Sequence, residues 1–207
     1  MMKIMFSDKY CLTQAVLTGT KTMTRRLLKV PKTCNGKAVY SFNVLTNNAG
    51  TQCVDLVDEN GCVLGSWKPH YEVGEVVAIA QSYKEVYPNA DFEMVGNGFM
   101  TESAGWNNKM FVRANLMPHH IRITDVKIER LQDISEGECR HEGIGYHRYR
   151  DEVCSDDSLW GYYVHKNGLL LFDTPHEAFI SLIDKISGKG TWESNPWVVA
   201  YSFELIK

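Results

Sequence analysis

The spacing of apolar positions changes several times along this chain, and each change marks an element. Near one end, Trp197, Val199, Tyr201, Phe203 and Leu205 are large and apolar while the positions between them are small or polar. That alternation predicts a half-buried strand. Ile121, Ile123, Val126, Ile128 and Leu131 predict a second long strand, with a bulge where the phase breaks between Ile123 and Val126. Residues 3–6 and 73–80 read as shorter strands. Cys11, Leu12, Ala15 and Val16 recur at helical spacing, with Asp8 placed to cap and Gly19 to stop that helix. Ser135-Glu136-Gly137-Glu138 is a capping box that opens a short helix ending at Gly143. Thr174-Pro175-His176-Glu177 repeats the signal with proline in the favoured first position. Phe179, Leu182, Ile183 and Ile186 then share one helix face up to Gly188. Residues 33–70 read as loop-rich, with hairpin turns at Asn60-Gly61 and, further on, at Asn97-Gly98. Strands dominate and helices are short. No repeat and no linker divides the chain, so an α+β fold on a mixed or closed sheet is expected.

Length fits one domain or one domain with large decorations. No apolar run approaches the roughly 20 residues of a membrane span, and the first residues lack a signal peptide's apolar region. A cytoplasmic protein with no membrane partner is expected. The cysteines Cys11, Cys34, Cys53, Cys62, Cys139 and Cys154 form no Cys-x-x-Cys and no zinc-like spacing with histidines, so free and mostly buried thiols are expected. His119 and His120 are neighbours in an expected strand and point to opposite faces. No metal and no cofactor is expected.

Charge is unevenly distributed. From Lys9 to Val54 there is no Asp or Glu, while Lys9, Lys21, Arg25, Arg26, Lys29, Lys32 and Lys37 are all cationic. With the chain at −3, the remainder sums to −10. Such asymmetry points to an anionic partner, nucleic acid first, or to a solvated basic surface. Its centre is Gly19-Thr20-Lys21-Thr22-Met23-Thr24-Arg25-Arg26, set directly after the first helix. If this segment is extended, the threonines face away from Lys21, Met23 and Arg25; in a turn, Lys21 and Thr24 converge.

Lys3-Ile4-Met5-Phe6-Ser7, a helix, and then Gly-x-Lys-Thr-x-Thr-Arg-Arg resemble the opening of the ASCH domain family, of the PUA-like β-barrel group. Tyr71-Glu72-Val73-Gly74-Glu75, then Met117-Pro118 with Arg122, then Leu131 to Ser135, resemble further family segments in the right order. Glu142-Gly143, Trp192 and Asn195-Pro196-Trp197-Val198 complete the set, and the larger, phage-associated type fits best. The resemblance implies a single PUA-like barrel over residues 1–207, with a few short flanking helices and insertions at about 33–70, 84–116 and 145–173.

One compact branch of that family is similar to an amidohydrolase acting on N4-acetylcytidine. Carried onto matching positions, its catalytic lysine, threonine and glutamate are Lys21, Thr24 and Glu142. Amide hydrolysis needs a nucleophile, a base to deprotonate it and an acid for the leaving amine. Thr24, Lys21 and Glu142 suit those roles in that order, provided burial and nearby cations lower the lysine's pKa. Lys21 as a phosphate-binding point charge is the alternative. Thr22, Arg25, Arg26, Gln81 and Arg122 are candidate contacts to substrate or nucleic acid. Arg25 and Arg26 meet phosphates, or at least one pairs with a carboxylate such as Glu136 or Glu142. Gln81 stands where larger members usually carry a glutamate, so it can hydrogen-bond a base but not exchange protons.

Within the third insertion, Tyr146, Tyr149, Trp160, Tyr162 and Tyr163 are interleaved with His147, Arg148 and Arg150. These suit base stacking, or packing of the insertion onto its domain. Asp151, Glu152, Asp156 and Asp157 would repel a phosphate backbone nearby. The leading reading is a nucleoside- or RNA-directed protein that removes an N-acyl group. A non-catalytic RNA- or modified-base-binding module and a metal-independent ribonuclease are the alternatives.

Overall fold

A computed structural model of the chain describes residues 1–46, 50, 52–150 and 156–206. In chain order the strands begin with β1 (Lys3–Ile4), β2 (Met23–Leu27), β3 (Thr33–Cys34), β4 (Lys37–Ala38) and β5 (Ser41–Thr46). There follow β6 (Gln52–Val57), β7 (Val63–Trp67), β8 (Val76–Ile79), β9 (Met94–Val95), β10 (Gly98–Phe99) and β11 (His120–Arg130). The last are β12 (Gly145–Arg150), β13 (Asp156–Val164), β14 (Gly168–Phe172) and β15 (Trp197–Ile206). Helices are α1 (Leu12–Leu17), α2 (Tyr83–Val86), α3 (Glu136–His141), α4 (Pro175–Ser187) and α5 (Thr191–Ser194). The fold is α+β and mostly sheet.

The central sheet has the order β1-β8-β11-β15-β2. Only the β1–β8 pair is parallel. β11 and β15 form the spine, paired from His120↔Ile206 to Arg130↔Trp197. Their register slips between Ile123 and Asp125, where the broken apolar phase predicts a bulge. Ile4, Val77, Ile79, Ile121, Ile123, Val199 and Phe203 bury the inner face, and α4 adds Phe179, Leu182 and Ile183. α4 packs against α3 and β13, which sets it across one end of the sheet.

The expected closed barrel is corrected. Among the described residues the central sheet is open, with β1 and β2 as its free edges. β1 is two residues long, and the chain leaves it for a 3-10 turn at Asp8–Tyr10, so no ladder is offered to β2. Two three-stranded sheets stand apart from the central one, β5-β6-β7 within residues 33–70 and β12-β13-β14 within 145–173, and β3-β4 and β9-β10 are two-stranded. Buried Tyr162 stacks on Phe172 and meets Tyr10 edge-on, fastening the β12-β13-β14 sheet to the domain. Trp160 lies under the Arg140 guanidinium, while Tyr146 and Tyr163 are exposed. Asp151, Glu152, Cys154 and the side chains of Tyr149, Arg150, Asp156 and Asp157 lie outside the described residues.

Local signals hold with adjustments. Ser135 accepts from the Glu138 amide and Glu138 returns the bond, closing the expected box. Thr174 accepts from the Glu177 amide. Asp8 does not cap α1: Cys11 turns left-handed (φ 51°) and breaks the helix there. Asp8 instead accepts from the Thr13 hydroxyl and pairs with Lys109. The second hairpin turns at Gly96-Asn97, since Gly98 already pairs with Val95. Of the described cysteines only Cys139 is fully buried, and burial pushes its thiol up to about 12. No helix among the described residues is long and apolar enough to cross a membrane.

Candidate functional site

Gly19, with φ 77°, ends α1 and sends the chain toward α3. The Lys21 amide donates to the Ala15 carbonyl and the Thr22 amide to that of His141, each at 2.9 Å. An isolated bridge joins Lys21 to Glu142. From Met23 onward the segment is an edge strand on β15. The structure thus selects the extended arrangement, with Lys21 and Arg25 on one side of the strand and Thr24 on the other. All three nonetheless line one cavity, because it runs along the free edge of β2.

That cavity measures about 540 Å³, within the range of small-molecule sites. It fills the gap between the two sheet edges. Met5, Phe6 and Ser7, following β1, form one side; Thr24 to Leu27 form the other; α4 supplies an apolar wall. Arg26 spans the gap, its guanidinium donating to the Met5 carbonyl at 2.7 Å.

Lys21 is 2 % exposed, and its Nζ donates to Glu142 Oε2 at 2.6 Å and to the Glu142 carbonyl at 2.8 Å. Its pKa lies below the usual lysine value, chiefly because burial penalises the ammonium. Glu142 opposes that shift; Arg26 and Arg25 reinforce it. Thr24 is also buried and lines the same cavity. Lys21 and Thr24, matched within one motif, and Glu142, matched at the end of the short helix, therefore line one cavity.

Arg25 departs from its expected role. Its buried guanidinium pairs with Glu129 at 2.7 Å, Glu138 at 3.2 Å and Glu142 at 3.3 Å. The register explains the reach: Ala200 stands opposite Arg25 and Lys127 opposite Ala200, so a small side chain lets Arg25 cross β15 to Glu129 on β11. Arg25 is a framework charge, not an open phosphate contact. The carboxylate alternative was right for Glu142, while Glu138 takes the place expected of Glu136. Glu129 is the residue the sequence did not flag; it also holds Lys127 at 2.6 Å.

The remaining candidates are scattered. The Thr22 hydroxyl meets His141 Nδ1 at 3.1 Å, which fastens the segment to α3. Gln81 is not part of the cavity lining; its Oε1 lies 2.7 Å from His119 Nδ1. Gln81 is therefore not placed to contact a substrate in this cavity, whose apolar wall comes from α4. Arg122 lies half exposed on β11, 3.6 Å from Glu204, and is also outside the cavity. No group of three or more metal-binding side chains occurs among the described residues. Comparison with protein-family models, curated proteins and solved structures finds no match.

Proposed function

We propose that the chain is an ASCH-type member of the PUA-like group, one domain with three insertions, that hydrolyses the N-acyl group of an acylated cytidine such as N4-acetylcytidine. One observation carries this reading: a buried lysine held by a buried carboxylate shares with Thr24 the lining of a cavity of small-molecule size. Proton transfer along the 2.6 Å contact turns ammonium and carboxylate into amine and carboxylic acid, so base and acid form together. Lys21 Nζ takes the Thr24 proton as Oγ1 attacks the acyl carbon. Glu142 protonates the leaving amine as the C–N bond breaks, which restores the ion pair. Water then cleaves the threonyl ester and returns Thr24 and the free acid. Arg25, bound to Glu142 and Glu129, fixes the carboxylate's position.

Commitment of Arg25 to carboxylates removes one of the two arginines that a polynucleotide-binding surface or a ribonuclease would use, so a small acylated ligand is favoured. The test is a time course of cytidine release from N4-acetylcytidine by the protein and by a folded Lys21→Ala variant. Turnover lost in the variant supports the reading; equal rates, or none, refute it.

A further inference from the structure

Four cations line the cavity, and they divide into two pairs. Lys21 and Arg25 are neutralised within the protein by Glu142, Glu129 and Glu138. Arg26 and Lys29 have no carboxylate in ion-pair range among the described residues. Arg26 is fixed through the Met5 carbonyl, and Lys29 is exposed at the rim. Glu142 is the lone carboxylate of the lining, and two cations already hold it. With Lys127 also held by Glu129, the reacting end sets three cations against three carboxylates, while the Arg26–Lys29 end carries two uncompensated positive charges.

Building on the amidohydrolase reading, we propose that the cavity takes a nucleotide, with the phosphate monoester of an acylated cytidine on Arg26 and Lys29. A phosphate monoester carries about −1.5 to −2 at pH 7, which matches those two cations. Charge-assisted hydrogen bonds from a guanidinium and an ammonium are the strong kind, and Lys29 supplies the mobile partner to a fixed Arg26. A neutral nucleoside leaves both charges unused. The apolar residues of α4, Phe179 and Ile183 among them, offer the opposite wall to a base.

The experiment measures product binding, so it does not depend on hydrolysis. Cytidine and its 5′- and 3′-monophosphates are titrated by calorimetry into the protein, Lys29→Ala, and Lys37→Ala as a control outside the cavity. At least one monophosphate binds about tenfold or more tighter than cytidine, as charged hydrogen bonds predict. That preference falls about tenfold in Lys29→Ala, persists in Lys37→Ala and narrows with added salt. Equal affinity for cytidine and both monophosphates, a preference indifferent to Lys29, or no binding of any of the three overturns the proposal. Phosphate-dependent binding without release from N4-acetylcytidine or its monophosphates would instead refute the hydrolytic reading alone.

Discussion

Lys21 grips Glu142 twice, at the side-chain carboxylate and at the backbone carbonyl, across 121 positions of sequence. Both groups are almost fully buried, so each depends on the other for charge compensation. Removing one partner of such a pair strands the other. Lys21→Met should lower unfolding free energy by about 3 kcal/mol, and Lys21→Met/Glu142→Gln should recover part of it. Urea unfolding of both variants checks this; a double variant no more stable than Lys21→Met contradicts it.

Burial lowers the Lys21 pKa from its ordinary 10.5. Between the lowered folded value and 10.5 the unfolded chain binds more protons at this site, so the Lys21 contribution to stability rises with pH across that window. Below the folded value the penalty is present in full. Unfolding free energies measured up to pH 10.5 should climb more steeply in the wild-type protein than in Lys21→Met. Parallel profiles would show that Lys21 titrates normally.

Arg25 serves three carboxylates through a planar fork, which an ammonium cannot reproduce. Arg25→Lys should cost about 2 kcal/mol, a fall of roughly 4–8 °C in Tm for a chain of this size. Thermal unfolding by circular dichroism reads this directly. An unchanged Tm would mean that the network holds without its centre.

Gly161 sits where β13 meets β14, and a Cβ there would fall 2.1 Å from the Leu170 carbonyl oxygen. Because the obstacle is backbone, Gly161→Ala must separate the strands and should destabilise by about 2 kcal/mol or more. Hydrogen exchange should show lost protection at residues 160–164 and 168–172. Wild-type protection there would contradict the pairing.

What the sequence made legible was local. The alternation in β15, the slipped phase in β11, the Ser135 box and the Gly19 stop each act within a few residues, and each appears where the pattern places it. β5 escaped notice because its weak alternation is only half buried, leaving little apolar contrast to read. Lys21, Thr24 and Glu142 were named through the family resemblance, not through spacing. The grip of Arg25 on Glu129 needs the register of three strands, and the α4 wall needs a tertiary contact over more than 150 positions. The closed barrel is an implication of the family resemblance, and no sequence pattern shows whether a two-residue edge such as β1 can pair to close it.

The most direct test is to ask whether Thr24 becomes acylated. The protein is mixed with excess N4-acetylcytidine, quenched with acid within the first turnover, digested and measured by mass spectrometry. A one-acetyl increase on the peptide containing Thr24, absent in Lys21→Ala, is the expected result. Cytidine release with no acetylated Thr24 at any quench time would contradict the nucleophile assignment.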